Sequence, residues 1–173
     1  MSYYDYIAFP NELNAVRLSE AKGKEKEYGI NYDISDYRNQ YMFLFPDLSP
    51  MESNIIIVDK KEATFRDCFK NKFIYYFCVD LRCRRWNIAK NLDEESKENL
   101  ANEHWLEYQK VQYNFIFKNL NSGEFAEIYT VRTDHVNFDF GPPKIEYTMT
   151  LDEFLNMPRP DKIVERQKIT LFK

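Results

Sequence analysis

The apolar positions of the chain fall into short runs of strand length, with one longer stretch of helical periodicity between them. Tyr3–Phe9 is aromatic and aliphatic and is closed by Pro10, which predicts a first strand. Leu13–Ala21 reads as a short helix. Tyr41–Phe45, bounded by Pro46, and Asn54–Val58, with three consecutive isoleucines, read as buried strands. Phe73–Val79 is another aromatic run of strand length, and Glu62–Lys70 before it reads as a short helix. The clearest helix is predicted to begin near Asn91. Asn91 would cap it, Glu94 would complete a capping box, and the first turn is acidic. At 100° per residue, Leu100, His104, Tyr108 and Val111 fall on one stripe, predicted to be buried. Glu94, Glu98, Asn102 and Trp105 fall on another, which places a tryptophan among carboxylates on the outer side.

Downstream, Tyr113–Leu120 and Glu124–Arg132 flank Asn121-Ser122-Gly123 and predict a hairpin with glycine at its turn. Val136, Phe138 and Phe140 alternate with Asn137 and Asp139, the pattern of a half-buried strand closed by Gly141-Pro142-Pro143. Thr150-Leu151-Asp152-Glu153 is a second capping box and opens a short helix through Leu155, with Pro158 and Pro160 beyond it. Ile163–Phe172 reads as a final strand or a partly frayed tail. Strands without regular β-α-β alternation predict an α+β fold: an antiparallel sheet with one longer and two or three short helices packed on it. At 173 residues, the chain is expected to form a single globular domain over 1–173.

Composition narrows the function. Hydrophobic residues make up 44% and charged residues 30%, as in folded globular proteins. Phe and Tyr number 14 and 13, more than one core of this size needs, so some are expected at the surface or an interface. No apolar run reaches the length of a membrane span, and the first residues lack the form of a secretory signal. Cys68, Cys78 and Cys83 have neither disulfide nor zinc spacing, which suits free thiols in the cytoplasm. The four glycines, Gly23, Gly29, Gly123 and Gly141, are too scattered for a phosphate-cradling loop, so no nucleotide cofactor is expected.

The charge is uneven. Residues 60–90 hold nine bases against three acids, and residues 91–107 hold six acids against one base. In the basic stretch, Arg82, Arg84, Arg85, Trp86 and Lys90 could grip phosphates and stack on a base. A nucleic-acid-binding module centred on 82–90 is one alternative, opposed by the acidic chain as a whole, with pI near 5.3. Arg82, Arg84 and Arg85 could instead bridge to Glu94, Glu95 or Glu98. An enzyme using carboxylates and His135 is another alternative, with Asp134 and Asp139 as acid–base candidates. His104 with Glu107 has a metal-ligand spacing, but a buried, hydrogen-bonded histidine explains it as well, and no metal site is expected.

The acidic helical face with Trp105 suits protein recognition, since tryptophan anchors interfaces and carboxylates steer basic partners. The aromatic opening Tyr3-Tyr4-Asp5-Tyr6-Ile7-Ala8-Phe9-Pro10, the late Thr150-Leu151-Asp152-Glu153-Phe154-Leu155 and the acidic, Tyr/Phe-rich chain resemble the immunity proteins of bacterial toxin systems. The resemblance implies a cytoplasmic inhibitor that binds a cognate toxin domain, for example a nuclease, and occludes its active site. Glu94, Glu98 and Trp105 are the expected partner contacts.

Overall fold

The computed structural model describes residues 2–14, 16–27, 42–44, 55–57, 66–77, 92–133, 141–159 and 166–173. They form an α+β fold. Five longer strands carry the sheet: β1 (Ser2–Phe9), β5 (Phe73–Phe77), β6 (Phe125–Thr133), β7 (Ile145–Thr150) and β8 (Gln167–Phe172). Three short strands extend it beyond β5: β2 (Val16–Arg17), β3 (Met42–Leu44) and β4 (Ile55–Ile57). The order is β2-β3-β4-β5-β1-β6-β8-β7. Helix α1 (Leu18–Ala21) is a single turn, α2 (Glu94–Asn119) is long, and α3 (Leu151–Leu155) is again short.

Strand register sorts the side chains onto two faces, because successive residues of a strand point opposite ways. Asp5 faces Thr130 and Phe77, Ile7 faces Ile128 and Tyr75, and Ile128 in turn faces Ile169. This face, with Phe9, Ala126 and Leu171, receives Val111, Phe115, Ile116 and Leu120 of α2 and Leu151 and Phe154 of α3. Phe115 fills the gap between two strands, its ring 5.5 Å from that of Phe9 and 5.6 Å from that of Phe77. Tyr6, Ala8, Ile74, Tyr129 and Val131 point to the opposite face and pack with Phe69 in a smaller cluster.

Four expectations are corrected. Tyr113–Leu120 is not a hairpin strand, because α2 runs through it to Asn119. Its aromatic run suits a strand, but Val111 with Phe115 and Gln112 with Ile116 continue a four-residue repeat that buries against β1 and β5. Gly123, at φ +84°, then turns the chain into β6. The sheet is mixed, since β7 lies parallel to β8 while every other pair among the described residues is antiparallel. The α2 cap is Asp93, whose carboxylate accepts from the Ser96 amide at 2.7 Å. Asn91 lies outside the described residues. The segment read as a helix from Leu13 to Ala21 is helical only from Leu18.

The remaining elements match more closely. The first strand ends at Phe9 before Pro10, and the capping box at Thr150 is complete: Glu153 N donates to Thr150 Oγ1, and Thr150 N donates to Glu153 Oε2. Most of the Glu62–Lys70 segment and all of Val136–Phe140 lie outside the described residues.

Candidate partner-binding site

Helix α2 is longer than the strands beneath it. Its 26 residues span about 39 Å, while the 8 residues of β1 span about 27 Å. Helix and strand run the same way, with Tyr108 over Asp5 and Phe115 over Phe9. The first turns of α2 therefore project past the end of β1. Glu94 and Glu98 stand on those turns and Trp105 follows them.

These three residues lie on the line of α2 that faces inward, not outward. At 100° per residue Glu94, Glu98 and Trp105 share an azimuth with Gln109, Gln112 and Ile116, which are buried. The buried stripe is rotated by a little under a quarter-turn from the Leu100–Val111 line. His104 is only half-buried, and Leu106, one residue beyond Trp105, is 57% exposed. Glu94 and Glu98 nevertheless remain in solvent, on turns that project past the described start of β1. Glu94 pairs with Lys97 at 2.6 Å while its side chain stays 91% exposed. Glu98 accepts from Arg159 Nη1 at 2.6 Å, and the same nitrogen donates to Asn102 Oδ1 at 3.1 Å. Arg159 follows α3, so the segment after that helix supplies the cation. Exposed pairs of this kind contribute little stability.

Trp105 is half-buried, but its indole Nε1 is buried and meets no hydrogen-bond acceptor. One turn on, Gln109 Nε2 donates to the carbonyls of Phe154 at 2.5 Å and Met157 at 3.0 Å, leaving its buried Oε1 without a donor. A donor and an acceptor thus lie one helical turn apart without protein partners, and each such group costs about 1–3 kcal/mol.

Two polar clusters had no signal in the sequence beyond a charged residue inside a strand. Asp5, half-buried beneath α2, accepts from Thr130 Oγ1 at 2.6 Å, Tyr108 OH at 2.7 Å and Gln112 Nε2 at 2.8 Å. Burial pushes its carboxyl above the usual range, against the downward pull of those three bonds. The cluster fastens α2 to β1 and β6.

On the opposite face Lys168 Nζ lies 2.7 Å from Glu127 Oε1, with the side chains 7% and 0% exposed. Glu127 also accepts from the Lys70 and Asn71 amides, and Lys168 also donates to the Cys68 carbonyl. Beside them, the Cys68 thiol and the Tyr129 hydroxyl both donate to the Gly141 carbonyl. Burial pushes both the thiol and the phenol up, the latter to about 12. A thiol held protonated in this way is a poor nucleophile.

Among the described residues, no three His, Cys, Asp or Glu side chains converge to hold a metal ion, and no helix is long and apolar enough to cross a membrane. Arg82, Arg84, Arg85, Trp86, Lys90, Asp134, His135 and Asp139 lie outside the described residues. Comparison with models of protein families, with curated proteins and with solved structures finds no match.

Proposed function

We propose that the protein is a cytoplasmic inhibitor of the immunity-protein kind, which binds a cognate toxin domain through the overhanging end of α2 and covers its active site. The observation that carries this reading is the juxtaposition, on one line of α2, of exposed carboxylates with a half-buried tryptophan. Glu94 and Glu98 stand outermost, and Trp105 lies behind them. Carboxylates on a projecting helix end attract a basic cleft and speed encounter. Behind them the half-buried Trp105 offers apolar area, which suits a recognition anchor. Arg159 holds Glu98 in place and can exchange that bond for one to a partner cation.

The test has two steps. Affinity capture from the native host identifies the partner, and association kinetics are then measured with that purified domain at several salt concentrations. Charge reversal in Glu94→Lys/Glu98→Lys is expected to slow association at least tenfold and to flatten its salt dependence, with little change in fold stability. Trp105→Ala removes that apolar area and is expected to speed dissociation. Unchanged rates in both variants would remove this end of α2 as the contact surface.

A further inference from the structure

A second line of α2 is built for contact and is left mostly in solvent by the described fold. Asn99, Glu103, Leu106, Lys110, Tyr113 and Phe117 follow one another at alternating steps of four and three, the spacing of a coiled-coil seam. The line faces away from the sheet. Asn99, Glu103 and Lys110 are exposed, Tyr113 is half-buried, and Leu106 and Phe117 are 57% and 45% exposed. The apolar members cluster toward the end of the helix, where the Tyr113 and Phe117 rings stack at 5.7 Å and the Lys173 ammonium sits 4.0 Å from the Phe117 centroid.

Charge along this line is ordered. Glu103 precedes Leu106 with Glu95 beside the line, Lys110 and the Lys173 ammonium follow it, and Glu107 lies on the flank next to Leu106. Glu103 and Lys110 are two turns apart, about 10 Å along the axis, too far to pair within one helix. We infer that this face of α2 pairs with the same face of a second copy of the chain, the two helices antiparallel about a twofold axis beside Leu106. In that register each Glu103 lies opposite the partner's Lys110, so the pair forms twice, and the two Leu106 side chains meet at the axis. A parallel arrangement would instead set Glu103 on Glu103 and Lys110 on Lys110. A partner of single charge would complement only one of the two charged ends, whereas an inverted copy complements both.

The seam is one helix wide and carries three polar positions, so it belongs with the smaller interfaces, below about 1,200 Å². A dissociation constant of the order of tens of micromolar is expected. The line is separated around the helix from Glu94, Glu98 and Trp105, so pairing leaves that surface clear and stands or falls independently of the proposed function.

Sedimentation velocity of the full chain from about 1 to 300 µM tests the inference. The wild type is expected to shift from monomer to dimer across this range. Glu103→Lys alone and Lys110→Glu alone should each weaken self-association at least tenfold, because each creates like charges across the axis. An equimolar mixture of the two variants should dimerise again, since each supplies the sign the other lacks. All these positions are exposed, and circular dichroism confirms that the variants fold. A wild type that stays monomeric throughout would overturn the inference. So would a dimer indifferent to both reversals, or a mixture that fails to recover.

Discussion

Replacing Lys168 with methionine isolates what the buried ion pair contributes. Methionine keeps most of the apolar stem, so the change leaves no large cavity and reports chiefly the loss of charge compensation. The Lys168 ammonium lies 2.7 Å from Glu127, and both side chains are almost wholly enclosed. Removing one partner of such a pair costs about 3–5 kcal/mol, because the other charge stays buried. One feature places the expected loss toward the lower end. Glu127 keeps the amides of Lys70 and Asn71, at 2.9 and 2.8 Å. Against this, the Cys68 carbonyl loses its ammonium donor, which adds about 1 kcal/mol.

A loss of about 3–4 kcal/mol is a large share of the ordinary stability of a domain, and it should lower the urea midpoint by about 1.5–2 M at a slope near 2 kcal/mol/M. Tryptophan fluorescence and far-UV circular dichroism should report the same transition. Adding Glu127→Gln removes the stranded charge while an amide oxygen can still accept from Lys70 and Asn71, so the double variant should recover more than half of the loss. A single variant within about 1 kcal/mol of wild type, or a double variant no better than the single, would refute the account of this pair as a buried, mutually compensating one.

Other consequences follow from the same geometry. Burial raises the Asp5 carboxyl above its ordinary value of 3.8, so the native state binds that proton more tightly than the unfolded chain does. Wild type should therefore gain stability relative to Asp5→Asn as pH falls from about 7 through the raised value, levelling off below the unfolded value, and a difference flat with pH would contradict this. The Tyr129 phenol is raised to about 12 from 10.0, so the unfolded chain ionises first and stability should fall between those values. Tyr129→Phe should lose less stability over that interval, and equal losses in alkaline denaturation curves would count against it. Gly123 sits at φ +84° with open space where a Cβ would go, so Gly123→Ala suffers only the backbone penalty. A cost of about 1–2 kcal/mol is expected, read as a thermal midpoint lowered by a few degrees.

The elements legible in the sequence are those fixed by local chemistry. Pro10 ends β1, Phe73–Phe77 can only be a buried strand between polar segments, and the Thr150–Glu153 box is closed by atoms three residues apart. The second half of α2 was not legible. Tyr113–Leu120 is rich in aromatic residues that suit a strand equally well, and only the fit of Phe115 between Phe9 and Phe77 settles the matter. The phase of α2 was missed for a related reason. Gln109 and Gln112 occupy buried positions that a hydrophobic pattern assigns to solvent, and both are there because of distant partners, the carbonyls of Phe154 and Met157 and the carboxylate of Asp5. Strand β7 was missed because Glu146, Tyr147 and Thr148 are all exposed, so no buried face marks it. The Asp5 and Glu127 clusters join residues distant in sequence, and no local pattern encodes such meetings.

The position of β8 has a consequence for the order of assembly. Strand β7 is made before β8, yet the only described strand it pairs with is β8, which in turn lies against β6. During synthesis β7 and the capping box behind it must wait, without a ladder, until residues 167–172 have left the ribosome and docked. Only then can the Lys173 ammonium close on the carbonyls of Phe117 and Leu120 and lock the end of α2. The nascent chain therefore holds a core of β1, β5, β6 and α2 with an open edge at β6, and that edge offers a template to other unfinished chains. A chain stopped short of Gln167 would lose two strands from its sheet rather than one.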